Sequence, residues 1–324
     1  MLSILKRLII YFYFLLIMYS KYIKTVLKDL TEKGLEVLYI GAFGSFNYGL
    51  ETNNSDYDVK AIINIDTSKL LIEHLKQKTF DYVFGQCEVI NLIEFGKKLS
   101  AFEIPYIEVL FSEINYINEN FDYERLRNVV NDALVNNRKF LSLNFLSTME
   151  KIDVTFMKSK MFDFAGKKTY NIIRLYNLFK KFNKTKKYVE CLFAEEDIEK
   201  MLDHKLGRIP KIDANKDCDD YILKMRKFTN VTYVEIPFKR ECINKLVIEM
   251  FNELLRKRII MCERKKYCLK IEKTTYELNL PLIEKVDTCV NTKVIEQREV
   301  KSVGVWALMY VLICIIMCML LMIY

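Results

Sequence analysis

The 324-residue sequence is poor in glycine, proline and histidine. It contains 9 glycines, 4 prolines and 2 histidines, beside 20 tyrosines and 21 phenylalanines. Glycine and proline provide many turn conformations, so their scarcity disfavours a turn-rich all-β protein and favours long helices with a few strands. With only two histidines, His74 and His204, a histidine-based zinc site is disfavoured. We expect no acidic partner for either side chain and predict that both are structural or solvated.

The nine cysteines include no Cys-x-x-Cys pair. Cys262 and Cys268 are six residues apart, a spacing poorly suited to a zinc site. Scattered thiols in odd number are typical of a reducing compartment. A net charge of +8 suits a polyanionic ligand such as a nucleotide or RNA, although many lysine-rich proteins carry such a charge without one.

Residues 305–324 contain no charged side chain. Twenty residues of helix span roughly 30 Å, the thickness of the hydrocarbon core of a bilayer. Lys293, Arg298 and Lys301 lie just before this run, and such a bias marks the cytoplasmic side. The pattern predicts a transmembrane helix that anchors a cytoplasmic domain; a buried C-terminal helix is the alternative.

The N-terminal apolar run, Leu8–Tyr19, follows Lys6 and Arg7. Its length is that of the hydrophobic region of a signal peptide, but no small-x-small cleavage site follows it. Met18 is an alternative start of translation. The sequence leaves open whether this run is a signal, an anchor or an untranslated stretch.

Hydrophobic patterning predicts an α/β protein with a small mixed sheet, a helical half and an apolar C-terminal helix. We expect buried strands at Glu36–Gly41, Tyr57–Ile65 and Cys87–Leu92. Helical spacing is evident at residues 68–78 and from about residue 120 onward, and residues 205–220 form a polar break. The predicted divisions are an apolar segment (1–20), a core (21–118), a helical domain (119–258), a charged extension (259–304) and the apolar helix (305–324).

The segment from Gly44 to Asp58 carries the chemistry. Asp56 and Asp58 begin a predicted strand, and residues two apart on a strand point to the same face. Their carboxylates can therefore bind the same divalent cations, and hard cations such as Mg²⁺ leave positions open for substrate phosphates. Gly44 and Ser45 follow the preceding strand, where a turn without a bulky side chain lets backbone N–H groups approach a phosphate. These parts together predict a two-metal phosphoryl-transfer site.

The same segment resembles the signature of polymerase-β-superfamily nucleotidyltransferases. It is most similar to the bacterial and phage group associated with RNA repair, whose signature reads Gly-Ser-x-x-Tyr-Gly-Leu-x-x-x-x-Ser-Asp-x-Asp. All fixed positions are present between Gly44 and Asp58. The resemblance implies that Gly44, Ser45 and Tyr48 contribute to the nucleotide site and that Asp56 and Asp58 bind metal.

Two further stretches agree with this family, and the resemblance covers roughly residues 35–255. Residues 102–112 keep the family's Pro105, Glu108, Leu110 and Ser112, with Ile104 where asparagine is usual. Residues 167–175 are similar to a Lys-x-x-Tyr-His-x-x-Arg-Leu helix, with Asn171 in place of the histidine. That replacement removes a titratable group, which puts an acid–base role at this position in doubt.

The spacing of Lys167, Asn171 and Arg174 places them on one helix face. A lysine and an arginine on one face can hold a triphosphate, the arginine by a bidentate fork. The alternative is a solvated basic face. A two-metal site also needs a third carboxylate on a neighbouring strand, for which we expect Glu88, with Asp81 as the alternative.

The expected function is that of a metal-dependent nucleotidyltransferase. With Mg²⁺ or Mn²⁺, it would transfer a nucleoside monophosphate from an NTP to a hydroxyl group on RNA, a protein side chain or a small molecule. The rival hypothesis is a non-catalytic, membrane-tethered nucleotide sensor or scaffold on the same fold. A purely structural membrane protein would not require the Gly-Ser and Asp-x-Asp pattern.

Overall fold

The computed structural model describes residues 18–52, 55–64, 78–158, 165–193, 196–233, 241–257 and 260. All of these except Ile260 lie in the first of the two units into which the chain divides, Met1–Ile259. Within this unit a mixed β-sheet is covered by helices on both faces. The fold is therefore mixed α/β, as the patterning predicts.

The sheet contains five strands in the order β3-β4-β2-β1-β5. Strands β2 and β4 pair in parallel, whereas the other three pairings are antiparallel. The central strands have buried side chains on both faces, as expected for apolar strands covered on both sides. The strand bounds are β1 (Glu36–Phe43), β2 (Asp58–Asn64), β3 (Lys78–Tyr82), β4 (Gly85–Asn91) and β5 (Asn115–Ile117).

One face of the sheet packs against helix α1 (residues 18–32). Tyr19 and Tyr22 of α1 are buried with Val59 of β2 and Cys87 of β4. The hydroxyl group of Tyr19 also donates a hydrogen bond of 2.6 Å to the backbone carbonyl of Asp58. Helix α1 thus begins within the segment predicted for residues 1–20, and its Tyr19 packs against the sheet.

The opposite face of the sheet packs against the remaining helices. Four helices come first: α2 (Ser45–Tyr48), α3 (Leu92–Ser100), α4 (Ile104–Leu110) and α5 (Tyr123–Asn136). The side chain of Asn91 caps α3 by accepting a hydrogen bond from the N–H of Glu94, which explains why the helix begins directly after β4. The helical half continues with α6 (Arg138–Lys158), α7 (Ala165–Thr185), a 3₁₀ turn (Tyr188–Cys191), α8 (Ile198–Lys205), α9 (Lys211–Thr229) and α10 (residues 241–257).

Helix α7 lies between α8 and α9 and contacts both. Its first turn approaches α8 so closely that a Cβ atom at Gly166 would lie 1.9 Å from the carbonyl oxygen of His204. Only glycine fits there. The start of α7 and the end of α8 are consequently side by side, which brings two lysines near the end of β1.

The three predicted strands are confirmed with shifts of one or two residues at their ends. Strands β3 and β5 were not predicted, because their short sequences show no clear apolar alternation. The predicted polar break at 205–220 is wrong: α8 runs up to Lys205, and α9 begins at Lys211. Lys78, predicted as helical, lies in β3, and residues 68–77 lie outside the described residues.

The predicted transmembrane helix (305–324), most of the charged extension (259–304) and most of the N-terminal apolar run also lie outside the described residues. No helix within the described part of the chain is long and apolar enough to cross a membrane.

Candidate functional site

The glycine–serine turn follows β1 directly. Gly44 has φ +82°, a conformation that favours glycine, and Ser45 begins the single-turn helix α2. A Cβ atom at Gly44 would lie 3.5 Å from Oδ2 of Asp58. Because Phe43 and Asp58 are paired across β1 and β2, the end of one strand and the beginning of the next meet at this point. The turn and the acidic pair thus lie beside each other, as the sequence predicts.

The side chains at the start of β2 alternate between the two faces of the sheet. The ring of Tyr57 stacks on that of Phe46 at 4.5 Å, within the cluster that faces α1. Asp58 takes the other face with Lys60, and Asp56 is solvent-exposed. Oδ1 of Asp58 accepts a 3.3 Å hydrogen bond from the N–H of Gln86.

The electrostatics of Asp58 show which charges surround it. Burial raises the pKa of its carboxyl group, and the charge of Asp56 raises that pKa further. The Gln86 N–H, Lys167 and Lys60 act in the opposite direction. Two carboxylates that repel each other, with one of them half-buried, are a favourable place for a cation.

Glu88, the expected third carboxylate, has other partners. It lies on the same sheet face as Asp58, because Lys60 and Glu88 are paired across β2 and β4. Its two oxygens bind the ammonium group of Lys60 and, at 3.0 Å, the hydroxyl group of Tyr106. Among the described residues no group of three acidic, histidine or cysteine side chains is placed to hold a metal ion. Glu88 therefore does not join Asp56 and Asp58 in this structure.

Asp81, the alternative third acid, lies on the outer strand β3 and is exposed. It is paired with Gln86, whose side-chain amide donates a 2.9 Å hydrogen bond to it. Gln86 thus lies between Asp58 and Asp81. Two strand spacings separate these acids, or about 10 Å, which is too far for shared coordination of one ion.

Lysines from the helical half complete the site. Lys167, in the first turn of α7, is exposed and acts electrostatically on both Asp58 and Lys205. Lys205, the last residue of α8, donates a 2.8 Å hydrogen bond to Oγ of Ser45. The sequence singled out Lys167 but missed Lys205, which lies in the run that it predicted as a polar break.

Arg174, predicted to bind phosphate, is buried and pairs with Glu108 on α4. The other carboxylate oxygen of Glu108 accepts a 2.6 Å hydrogen bond from the hydroxyl group of Tyr48, and the guanidinium group lies 3.8 Å from the centre of the Tyr48 ring. Arg174 and Tyr48 thus hold the turn helix α2 against α4 and α7. Neither side chain is open to a nucleotide in this structure.

Lys167, Asn171 and Arg174 lie on one face of α7, as predicted, but their burial increases along the helix. Lys167 is exposed, Asn171 is half-buried and Arg174 is buried. The amide group of Asn171 donates a 2.9 Å hydrogen bond to the carbonyl of Lys167 on its own helix. The helical spacing was therefore predicted correctly. The three side chains are not all exposed to solvent, as a site that binds a phosphate with all three would require.

His204, predicted to have no acidic partner, is buried beside Asp217 of α9, which it contacts through Nε2 at 2.9 Å. Asp217 also accepts a 2.6 Å hydrogen bond from Lys200. Burial lowers the pKa of His204, although Asp217 opposes this effect. The contact fixes the last turn of α8 against α9, one residue before Lys205.

The comparisons with known proteins add no relative. The chain matches no family model, and it matches no curated protein.

Proposed function

We propose that this chain is a metal-dependent nucleotidyltransferase whose sheet and first helices form a polymerase-β-like catalytic core. It would move a nucleoside monophosphate from an NTP to a hydroxyl group. One observation carries the proposal: the Gly44-Ser45 turn lies beside Asp58 on adjacent strands, with Lys205 bound to Ser45 and Lys167 near enough to Asp58 to lower its pKa. Such a site offers hydrogen-bond donors and cations to a triphosphate next to carboxylates that bind a divalent ion.

Different residues of the site would bind the phosphates and the metal ion. Gly44 leaves the turn open to the phosphates, and the Ser45 hydroxyl group and Lys167 bind their oxygens. Asp56 and Asp58 would hold Mg²⁺ or Mn²⁺, which on binding would stabilise the charge that develops on the phosphoryl oxygens. In the overall transfer a bond forms between the acceptor oxygen and the α-phosphorus. The bond from that phosphorus to the β-phosphate oxygen breaks, pyrophosphate leaves, and the acceptor proton passes to solvent.

Transfer of label from an NTP tests this proposal. The purified full chain is incubated with Mg²⁺ and each of the four α-labelled NTPs, with an RNA oligonucleotide and a mixture of proteins as separate acceptors. We expect label on one acceptor, pyrophosphate in equal amount, and neither product with Asp58→Asn. Absence of both products with every NTP, in Mg²⁺ and in Mn²⁺, would contradict catalysis. The acceptor class is left to this experiment.

A second candidate function is nucleotide binding without turnover. It is favoured by the contact of Glu88 with Lys60 and Tyr106, because a catalytic centre of this type needs a third carboxylate near the other two. Equilibrium binding of each NTP with Mg²⁺, measured beside transfer, separates the candidates. Tight binding with no transfer supports the sensor, whereas transfer that is lost in Glu88→Gln shows that Glu88 leaves Lys60 during the reaction.

We also propose that residues 305–324 anchor the protein to a membrane with the catalytic core on the cytoplasmic side. The support is their length, their lack of charge and the preceding Lys293, Arg298 and Lys301. Cell fractionation of the full chain and of a chain ending at residue 302 tests this proposal. We expect the first in the membrane pellet and the second in the supernatant; a soluble full-length protein would rule out the anchor.

A further inference from the structure

Lys205 makes three hydrogen bonds to the segment that follows β1. Its ammonium group donates to Oγ of Ser45 at 2.8 Å, to the carbonyl oxygen of Leu50 at 2.6 Å and to Oγ of Ser55 at 3.0 Å. A lysine ammonium group has three N–H donors, so this arrangement uses all of them. One side chain from the helical half therefore holds the beginning, the middle and the end of the segment from Ser45 to Ser55.

Other hydrogen bonds also fix the described part of this segment, among them those from the N–H of Asn47 to the carbonyl of Gly44 and from the N–H of Ser55 to the carbonyl of Thr52. Two more bonds involve serines that Lys205 contacts. The N–H of Leu50 donates to the carbonyl of Ser45 at 3.0 Å, and the N–H of Thr52 donates to Oγ of Ser55 at 2.9 Å. Both bonds involve a serine that also contacts Lys205. Loss of the ammonium group would therefore loosen these two hydrogen bonds as well as the link between the segment and α8.

The acceptors of Lys205 are uncharged oxygens. In the part of the chain that the structure describes, no carboxylate lies within ion-pair distance of its ammonium group. Burial lowers the pKa of Lys205 to about 8, with the charge of Lys167 acting in the same direction and that of Glu51 opposing it. The ring centre of Tyr170 lies 5.7 Å away. A half-buried cation with no direct ion pair favours the arrival of an anion.

We infer that Lys205 is a positioning residue that holds residues 45–52 and Ser55 in a phosphate-binding arrangement and strengthens nucleotide binding. This inference rests on the proposed function for its ligand. It replaces the expected role of Arg174, whose charge is matched by Glu108. The helical half thus contributes Lys205 to the site, while Arg174 connects α7 to α2 and α4.

Two measurements on Lys205→Met test the inference. The change keeps the apolar stem and removes the ammonium group. Hydrogen exchange of the nucleotide-free protein should show faster exchange at the amides of Leu50 and Thr52, with strand β2 unchanged. The dissociation constant for MgATP should rise about 10- to 100-fold, the range expected for loss of charged hydrogen bonds.

The control is Lys224→Met, which removes the same charge from an exposed lysine of α9 that pairs with Asp220. It should leave both measurements unchanged. Lys205→Arg, which keeps the charge, should recover part of the MgATP affinity. If Lys205→Met does not fold, Ser45→Ala removes one acceptor of Lys205 and keeps the backbone carbonyl that accepts from the N–H of Leu50. Exchange at the Leu50 amide should then become faster by a smaller amount.

The outcomes separate this inference from the proposed function. If the wild-type chain binds MgATP and Lys205→Met binds it equally well, Lys205 does not serve the site. Unchanged exchange at Leu50 and Thr52 would also overturn the positioning role. If the wild-type chain binds no nucleotide, the proposed function fails, while the exchange measurement still decides whether Lys205 holds the segment.

Discussion

Two groups of charged residues lie on either side of helix α2. The open site comprises Ser45, Asp56, Asp58, Lys167 and Lys205, and it contacts solvent. The buried pair comprises Glu108 and Arg174, with Tyr48 bound to Glu108. Ser45 begins α2 and belongs to the open site, whereas Tyr48 ends α2 and belongs to the buried pair.

The difference between the groups concerns how their charges are satisfied. In the buried pair, cation and anion neutralise each other, and the aromatic ring of Tyr48 covers the guanidinium group. In the open site, the charge of Asp56 disfavours the ionised form of Asp58. The three hydrogen bonds of Lys205 go to uncharged oxygens. A buried pair is costly to break, because removal of one member leaves the other charge unpaired, while unmatched neighbouring charges favour ligands of opposite sign. We therefore expect changes to the first group to affect stability and changes to the second to affect binding.

The largest expected effect on stability is that of Arg174→Met. It leaves the carboxylate of Glu108 buried, with the Tyr48 hydroxyl group as its one remaining side-chain partner among the described residues. Loss of one member of a buried pair costs about 3–5 kcal/mol in the free energy of unfolding. Chemical denaturation measures this change. The double variant Arg174→Met with Glu108→Met should recover much of the loss, and equal stability of wild type and Arg174→Met would show that the pair is not structural.

Asp58→Asn should have the opposite profile. Burial and the charge of Asp56 both raise the pKa of Asp58, so the ionised carboxylate is disfavoured in the folded protein. The variant should unfold at the same or a higher denaturant concentration, while nucleotide transfer falls to background. Mg²⁺ should raise the melting temperature of the wild type but not that of the variant. Retained Mg²⁺-dependent transfer would place the chemistry elsewhere.

Gly49→Ala tests the link between the groups, because Gly49 is the C-cap residue of α2, with φ +68°. A Cβ atom there would also lie 2.4 Å from the ring of Phe193. The backbone strain costs about 1–2 kcal/mol. Gly34→Ala is the control, since Gly34 has φ +75° and a Cβ atom added there would meet no other atom within 4 Å. We expect Gly49→Ala to lose more stability than Gly34→Ala and to weaken MgATP binding. Equal losses of stability would show that the Phe193 ring moves aside with no loss of free energy.

The smallest expected effect is a pH dependence from His204. Its pKa is lowered mainly by burial, so the unfolded state takes up a proton first as the pH falls. Stability is therefore present above about pH 6.5 and is lost below it, at no more than about 1.4 kcal/mol per pH unit. Denaturation between pH 7.5 and 5.5 measures this slope. His204→Gln should flatten the curve, and an unchanged slope in that variant would assign the effect to another group.

The sequence predicted the sheet and the acidic end of the open site because both depend on short-range patterns. Alternation places Asp58 opposite Tyr57, and small residues after β1 predict the turn. It did not predict the burial of Arg174, because helical spacing gives a shared face but not the depth of each position along it. Glu88 was placed on the correct sheet face, but its contact with Lys60 and Tyr106 depends on packing between strands and α4.

Lys205 was missed for a different reason. Polar residues on both sides of it indicated a break, and a lysine at the end of a helix is common because it suits the helix dipole. Its function depends on the close approach of α7 and α8 at Gly166. The glycine at the start of α7 indicates a close contact with another element, but the sequence does not show which element that is.

The bond between Lys205 and Ser45 joins residues 160 positions apart in the chain. During synthesis, domains form as the chain emerges from the N-terminal end, at about 5–20 residues per second. Strands β1 and β2 can pair long before α8 has been made, whereas the Ser45–Ser55 segment cannot be fixed until Lys205 has left the ribosome. Under the proposed function, competence to bind a nucleotide would be a late event in the biogenesis of this protein, because the 160 residues between Ser45 and Lys205 take roughly 8–32 s to synthesise at that rate.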